Sequence, residues 1–188
     1  MHSELVKEIK DRTGAVSVVE LDTIQTLWSG YGQIVRLQLI GGNVKSLILK
    51  KIDLSAETSH PRGWNTSLSH ERKIKSYAVE MNWYAEWNTE FKPDFRMANP
   101  WLVSRTEASK YIVLEDLDAA GYPIRKDYLS LSEAKVCVKW LANFHGYYLG
   151  RNPEGLWKEG TYWHLDTRPD EFKAMDESRL KNAAKSLD

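Results

Sequence analysis

One cysteine in 188 residues rules out an internal disulfide, and Cys137 is expected to be a buried thiol. No Cys/His cluster has the spacing of a structural zinc site. Neither sign of charge is in surplus, since Lys plus Arg and Asp plus Glu each number 26, so nothing in the overall charge suggests nucleic acid or an anionic membrane surface as partner. Apolar runs approaching the roughly 20 residues that cross a bilayer are missing. The opening MHSELVKEIK has no apolar centre of the kind a signal peptide carries. A cytoplasmic protein without a membrane span is therefore expected. Repeats and low-complexity segments are also absent. What the chain does contain is 42% hydrophobic residues, enough for one sizeable core or two small lobes sharing an interface. It also carries 8 Trp and 9 Tyr, most of them between Tyr77 and Trp163. Such rings bury large areas, and packing between helices is their expected use, with a ligand cavity as the alternative.

The first third alternates in a way that predicts strands after a short helix. Leu5 and Ile9 with their charged neighbours suit an amphipathic helix ending near Gly14. Val16 to Val19 and Ile24 to Trp28 are short strand candidates, and Gln33 to Ile40 alternates as a half-buried strand should. Gly41, Gly42 and Asn43 supply a hairpin turn into a further strand, Val44 to Ile52. Asp53 to Ser67 is mostly polar and predicts a loop. Ile74, Tyr77, Ala78, Met81, Tyr84 and Ala85 recur at helical spacing within Ser69 to Trp87, which places a wide stripe against the sheet. Pro93 and Pro100 break the pattern, and Trp101 to Val103 and Lys110 to Leu114 are strand candidates. Ser132 is a suitable N-cap for a helix through Val136, Trp140, Leu141, Phe144 and Tyr148, closed by Gly150. Arg151 to Pro169 is loop-like, and Asp170 to Leu187 predicts a final polar helix.

A glycine turn, Ser29-Gly30-Tyr31-Gly32, a lysine late in the next strand, a long helix with a glutamate, and an acidic strand end before a helical region form an ordered set. This is the order of parts in the kinase fold. Glycines let the backbone approach nucleotide phosphates, a strand lysine gives those phosphates a point charge, and a helix glutamate can orient that lysine. Alternation puts Lys51 with Leu47 and Leu49 on one face and Lys50 with Ile48 and Ile52 on the other, without saying which face meets a nucleotide. Glu80 and Glu71 are the helix candidates.

The segments LWSGYGQIVRL, SLILKKI, SHERKIKSYAVEMNWYAEW, YIVLEDLDAAGYP and EAKVCVKWLANFHGYYLG resemble the ecdysteroid-kinase-like group of choline-kinase-like phosphotransferases, relatives of the aminoglycoside phosphotransferases. The resemblance implies an α+β, protein-kinase-like fold: an N-lobe antiparallel sheet with a long helix, residues 1–117 including the hinge, and the first helices of a C-lobe, residues 118–188. It implies an ATP-dependent kinase of a small-molecule hydroxyl group. Within it, Lys50 matches the phosphate-contacting lysine and Glu80 its orienter. Gly30, Tyr31 and Gly32 fall at the phosphate turn, although the third glycine of the protein-kinase loop is absent. Glu115, Asp116 and Leu117 resemble the hinge whose backbone meets adenine. His145 matches a family histidine, for which a buried, hydrogen-bonded structural role is expected.

A catalytic Asp, an Asn about five residues on and a further Asp for Mg²⁺ are what such an enzyme needs. His164-Leu165-Asp166 is the one His-X-Asp, but position 171 is Glu, so the segment is expected to be a loop feature and no catalytic or metal residue is assigned. By resemblance, the Mg²⁺ ligands and catalytic Asp are expected beyond these residues, leaving a nucleotide-binding portion that is inactive alone. The alternative is a non-catalytic nucleotide-binding or protein-interaction module, for which a homodimer burying exposed aromatic surface is the partner to look for.

Overall fold

Local signals begin and end most elements of the computed structural model, which describes residues 3–27, 30–54, 67–106, 110–159 and 162–185. Helix α1 (Ser3–Thr13) buries Leu5 and Ile9 one turn apart, as an amphipathic stripe should. It stops where Gly14 takes φ 69° and returns its N–H to the Lys10 carbonyl at 2.8 Å. Strand β1 (Ser17–Thr26) is continuous, where the sequence suggested two short strands with the second reaching Trp28. Register shifts between Glu20, Thr23 and Gln25 bulge it, and a bulge is what disturbs the alternation from which strand ends are inferred. Trp28 and Ser29 lie outside the described residues, as do positions 55–66 of the expected loop.

Strands β2 (Gly32–Ile40) and β3 (Ser46–Ile52) complete an antiparallel meander, β3 starting two residues after the expected Val44. Strand β4 (Pro100–Arg105) takes the edge, and β5 (Lys110–Glu115) inserts between it and β3, giving the order β1-β2-β3-β5-β4 with every pairing antiparallel. The sequence accounts for that choice. Ile112 and Val113 demand burial on both faces, whereas Pro100 lacks a ladder N–H and is best placed at an edge.

Alternation gives the sheet two unlike faces. Val35, Leu37, Leu39, Leu47, Leu49 and Val113 pack beneath α1. The opposite face carries Ile52, Ile112 and partly buried Ile34 and Leu114, and is covered by helix α2 (Ser67–Asn82) through Tyr77 and Met81. α2 does not run regularly to Trp87 as its periodicity suggests; its last turn widens into a π-helix at Trp83–Trp87, which stacks Trp83 on Trp87 at 6.4 Å. A 3₁₀ turn, Pro93–Phe95, then buries Phe95.

Helix α3 (Leu131–Tyr148) is capped by Ser130, two residues before the predicted Ser132. Glu133 is the reason: its carboxylate reaches back to the Ser130 N–H at 2.8 Å while the Ser130 hydroxyl accepts from the Glu133 N–H, a reciprocal box that Ser132 lacks the spacing to form. Trp140, Phe144 and Tyr148 lie one turn apart and meet Trp83, Trp87 and Phe95, so the aromatic cluster packs helix to helix. The rest of α3 faces outward. Cys137 is exposed rather than buried, and His145 is exposed with its ring against Phe144 instead of enclosed with a polar partner. His145 is turned from the Trp140–Phe144 stripe by 3.6-residue periodicity, whereas Cys137, three residues before Trp140, is on the stripe's side of α3 but precedes its first aromatic contact. The single final helix expected from Asp170 is two, α4 (Pro169–Lys173) and α5 (Glu177–Lys185), broken where Asp176 caps Ser178.

Candidate functional site

Two glycines shape the turn into β2 for different reasons. Gly32 has φ 126°, and a Cβ there would lie 2.1 Å from the Lys51 carbonyl oxygen, so strand pairing demands it. Gly30, at φ 75°, has open space where a Cβ would go, which leaves its backbone approachable. Between them Tyr31 turns inward, its hydroxyl 2.5 Å from His70 Nδ1 on α2 and its carbonyl accepting from the Asp53 N–H at 2.9 Å. The turn is thereby fastened to both the sheet and the helix.

Lys50 projects from β3 between Ile34 of β2 and Ile112 of β5, on the face that α2 covers. Glu80 faces it from α2, and Lys50 Nζ donates to Glu80 Oε1 at 2.7 Å and Oε2 at 2.6 Å. Lys51 points to the other face and pairs with Glu20 of β1, while Glu71 is exposed. The tertiary packing thus separates two lysines that alternation alone left equivalent. At 16% and 34% side-chain exposure Lys50 and Glu80 are shielded yet reachable, and the pair uses two of the three ammonium donors. Tyr77, one turn before Glu80, lies with its ring 5.2 Å from the ammonium. Burial first, and Glu80 second, raise the Tyr77 hydroxyl well above its ordinary value, so it stays neutral.

The β5 end is held by partners of Glu115 and Asp116 that sequence reading did not assign, Arg36, Ser46 and Arg96. Asp116 is 4% exposed and accepts from Arg36 Nε at 2.8 Å and the Ser46 hydroxyl at 2.7 Å. Arg36 also reaches Asp118 at 2.6 Å, and Glu115 pairs with Arg96 at 2.6 Å. Arg36 alternates onto the α2 face of β2, which was the signal available in the sequence. The carboxylates of Glu115 and Asp116 are therefore committed to the frame. Leu117 accepts from the Tyr122 N–H at 2.8 Å, and its own N–H has no acceptor among the described residues.

His164-Leu165-Asp166 forms a 3₁₀ turn, His164 Nδ1 accepting from the Asp166 N–H at 3.3 Å. Glu171 is used by Arg72 and Arg168. Glu159, His164 and Asp166 bring one ligand atom each within 4.8 Å of one another, a largely exposed group apart from the lysine–glutamate pair in sequence.

An antiparallel sheet whose strand lysine is oriented by a helix glutamate, with a strand end leading into helices, is the arrangement of a kinase-like α+β fold. The chain belongs to the ecdysteroid kinase-like family, whose profile matches residues 42–185. That span includes Lys50, Glu80 and residues 115–117, and begins after the glycine turn. No curated protein matches the chain. The family is kinase-like, which implies phosphoryl transfer and the use of ATP. No described helix is long and apolar enough to cross a membrane.

Proposed function

We propose that this chain supplies the nucleotide-binding portion of an ATP-dependent kinase of a small-molecule hydroxyl group. The observation that carries the reading is the bidentate Lys50–Glu80 contact, which fixes an ammonium while leaving it a donor for an anionic ligand. Residues 1–117 form the nucleotide lobe, with residues 118–188 opening the helical one. Lys50 holds phosphate and Glu80 orients Lys50. The turn at Gly30, Tyr31 and Gly32 borders the phosphates, and backbone at Glu115, Asp116 and Leu117 meets the adenine edge, where the unpaired Leu117 N–H is a donor of the right kind. Because Glu80 is occupied by Lys50, protein ligands for a nucleotide-bound Mg²⁺ lie outside this pair.

A thermal-shift titration tests this. Mg-ATP at 100 times its Kd should stabilise the chain by about 2.7 kcal/mol. Lys50→Met should abolish that rise while changing the unliganded midpoint little, since the lost pair is partly solvated. An equal rise in both proteins would refute the assignment.

A second reading, a module acting through protein contact, is favoured by the exposed apolar residues Val136, Val138 and Leu141 on α3. Sedimentation of a concentration series distinguishes it, a homodimer being its expected form.

A further inference from the structure

The α2 face over the sheet carries a polar stripe that its apolar periodicity conceals. His70, Lys73, Tyr77 and Glu80 recur at helical spacing. Three of them are spoken for: His70 by Tyr31, Glu80 by Lys50, and Tyr77 by the hydrophobic packing around it. Lys73 is not. It is half-buried, its ammonium lies 5.9 Å from the Tyr77 ring centre and 5.5 Å from that of Tyr162, and no carboxylate among the described residues pairs with it. The neighbouring acids are already used, since Asp170 and Glu171 are paired with Arg72 and Glu80 with Lys50. Lys50 and Lys73 thus both lie within 6 Å of one tyrosine ring centre, at 5.2 and 5.9 Å, and the carboxylate of Glu80 is paired with Lys50. Burial, and then the Lys50 charge, hold the Lys73 ammonium below the ordinary lysine value against the pull of Glu80. A half-buried cation in that position gains most from an added anion.

Direction follows from the register. Leu47, opposite Glu115, marks the hinge end of β3, and Ile52, opposite Gly32, marks the turn end, with Lys50 between them. On α2 the Tyr31–His70 contact shows that the helix start lies toward the turn. Lys73, seven residues before Glu80, therefore stands on the turn side of Lys50, at the end of the site away from the hinge.

We propose that Lys73 is a second phosphate-binding side chain of this site, taking the phosphate of a nucleoside triphosphate farthest from the base and so distinguishing triphosphate from diphosphate. This rests on the nucleotide-binding reading above. It assigns Lys73 a specificity role that neither Lys50 nor the glycine turn supplies.

Calorimetric titration of the whole chain with Mg-ATP and Mg-ADP tests it, using Lys73→Met, Lys73→Arg and Lys50→Met. Lys73→Met should weaken Mg-ATP about tenfold or more and Mg-ADP far less, the scale of one charge-assisted hydrogen bond. Lys73→Arg should retain most of the preference, and Lys50→Met should lose both ligands. Labelling of Lys73 by an amine-directed reagent should be slowed more by Mg-ATP than by Mg-ADP. If Lys73→Met leaves both affinities unchanged, or lowers both equally, while Lys50→Met abolishes binding, the Lys73 role is overturned and the site survives. If the unaltered chain binds neither nucleotide, both readings fall. A lysine that merely stacks on Tyr77 and Tyr162 would lower the unliganded melting point and leave the triphosphate preference intact.

Discussion

Asp116 shows how much a single side chain can hold together without touching a ligand. Its carboxylate is buried and joins Arg36 of β2, Ser46 of β3 and the end of β5. Asp116→Ala would leave Arg36 facing a partly dry cavity with only Asp118 for company, and should cost about 2–3 kcal/mol in urea unfolding, with the slope unchanged. The acidic pair Glu115-Asp116 was visible in the sequence as a hinge feature, yet its side chains serve the frame. Lys50 and Glu80 were legible as residues. The choice of Lys50 over Lys51 came from the family resemblance and not from alternation, which names two faces without saying which one a helix covers.

At the level of elements, α3 depends on its first turn. Lys126 and the Ser130 N–H and hydroxyl hold the Glu133 carboxyl down at about 2, against an ordinary value of 4.5. A carboxylate whose folded value is depressed stabilises fully above its unfolded value and loses that contribution as pH falls toward the folded one. Acid unfolding of the native protein and of Glu133→Gln, followed by far-ultraviolet circular dichroism, should therefore differ above about pH 4.5 and converge as pH approaches about 2. Ser130→Ala removes the cap itself and should cost about 1 kcal/mol at neutral pH. The helix was plain from its periodicity, but its cap was misplaced because Ser130 and Ser132 are both good caps and only the reach of Glu133 decides between them. The break between α4 and α5 was likewise hidden, since Asp176 competes locally for backbone N–H groups in a stretch whose polarity suits a helix.

Across the whole molecule, the join between α3 and the helical turns that follow α2 is aromatic. Phe144 stacks on Trp140 and meets Trp83 and Phe95 at 5.6 and 5.8 Å, while Trp140 Nε1 donates to the Arg96 carbonyl at 3.0 Å. Phe144→Ala should destabilise by about 2 kcal/mol, less than a fully buried phenylalanine because the ring is half-buried, and should flatten the near-ultraviolet circular dichroism that packed Trp side chains give. The sequence by itself determined the α+β class, most of the strands and helices, and the glycine turn, because periodicity and glycine are local properties of the chain. Only the tertiary structure decided that β5 enters the middle of the sheet, that Lys50 rather than Lys51 meets Glu80, and that no carboxylate among the described residues pairs with Lys73. Those outcomes depend on which faces are buried against each other, a non-local competition that no single segment encodes.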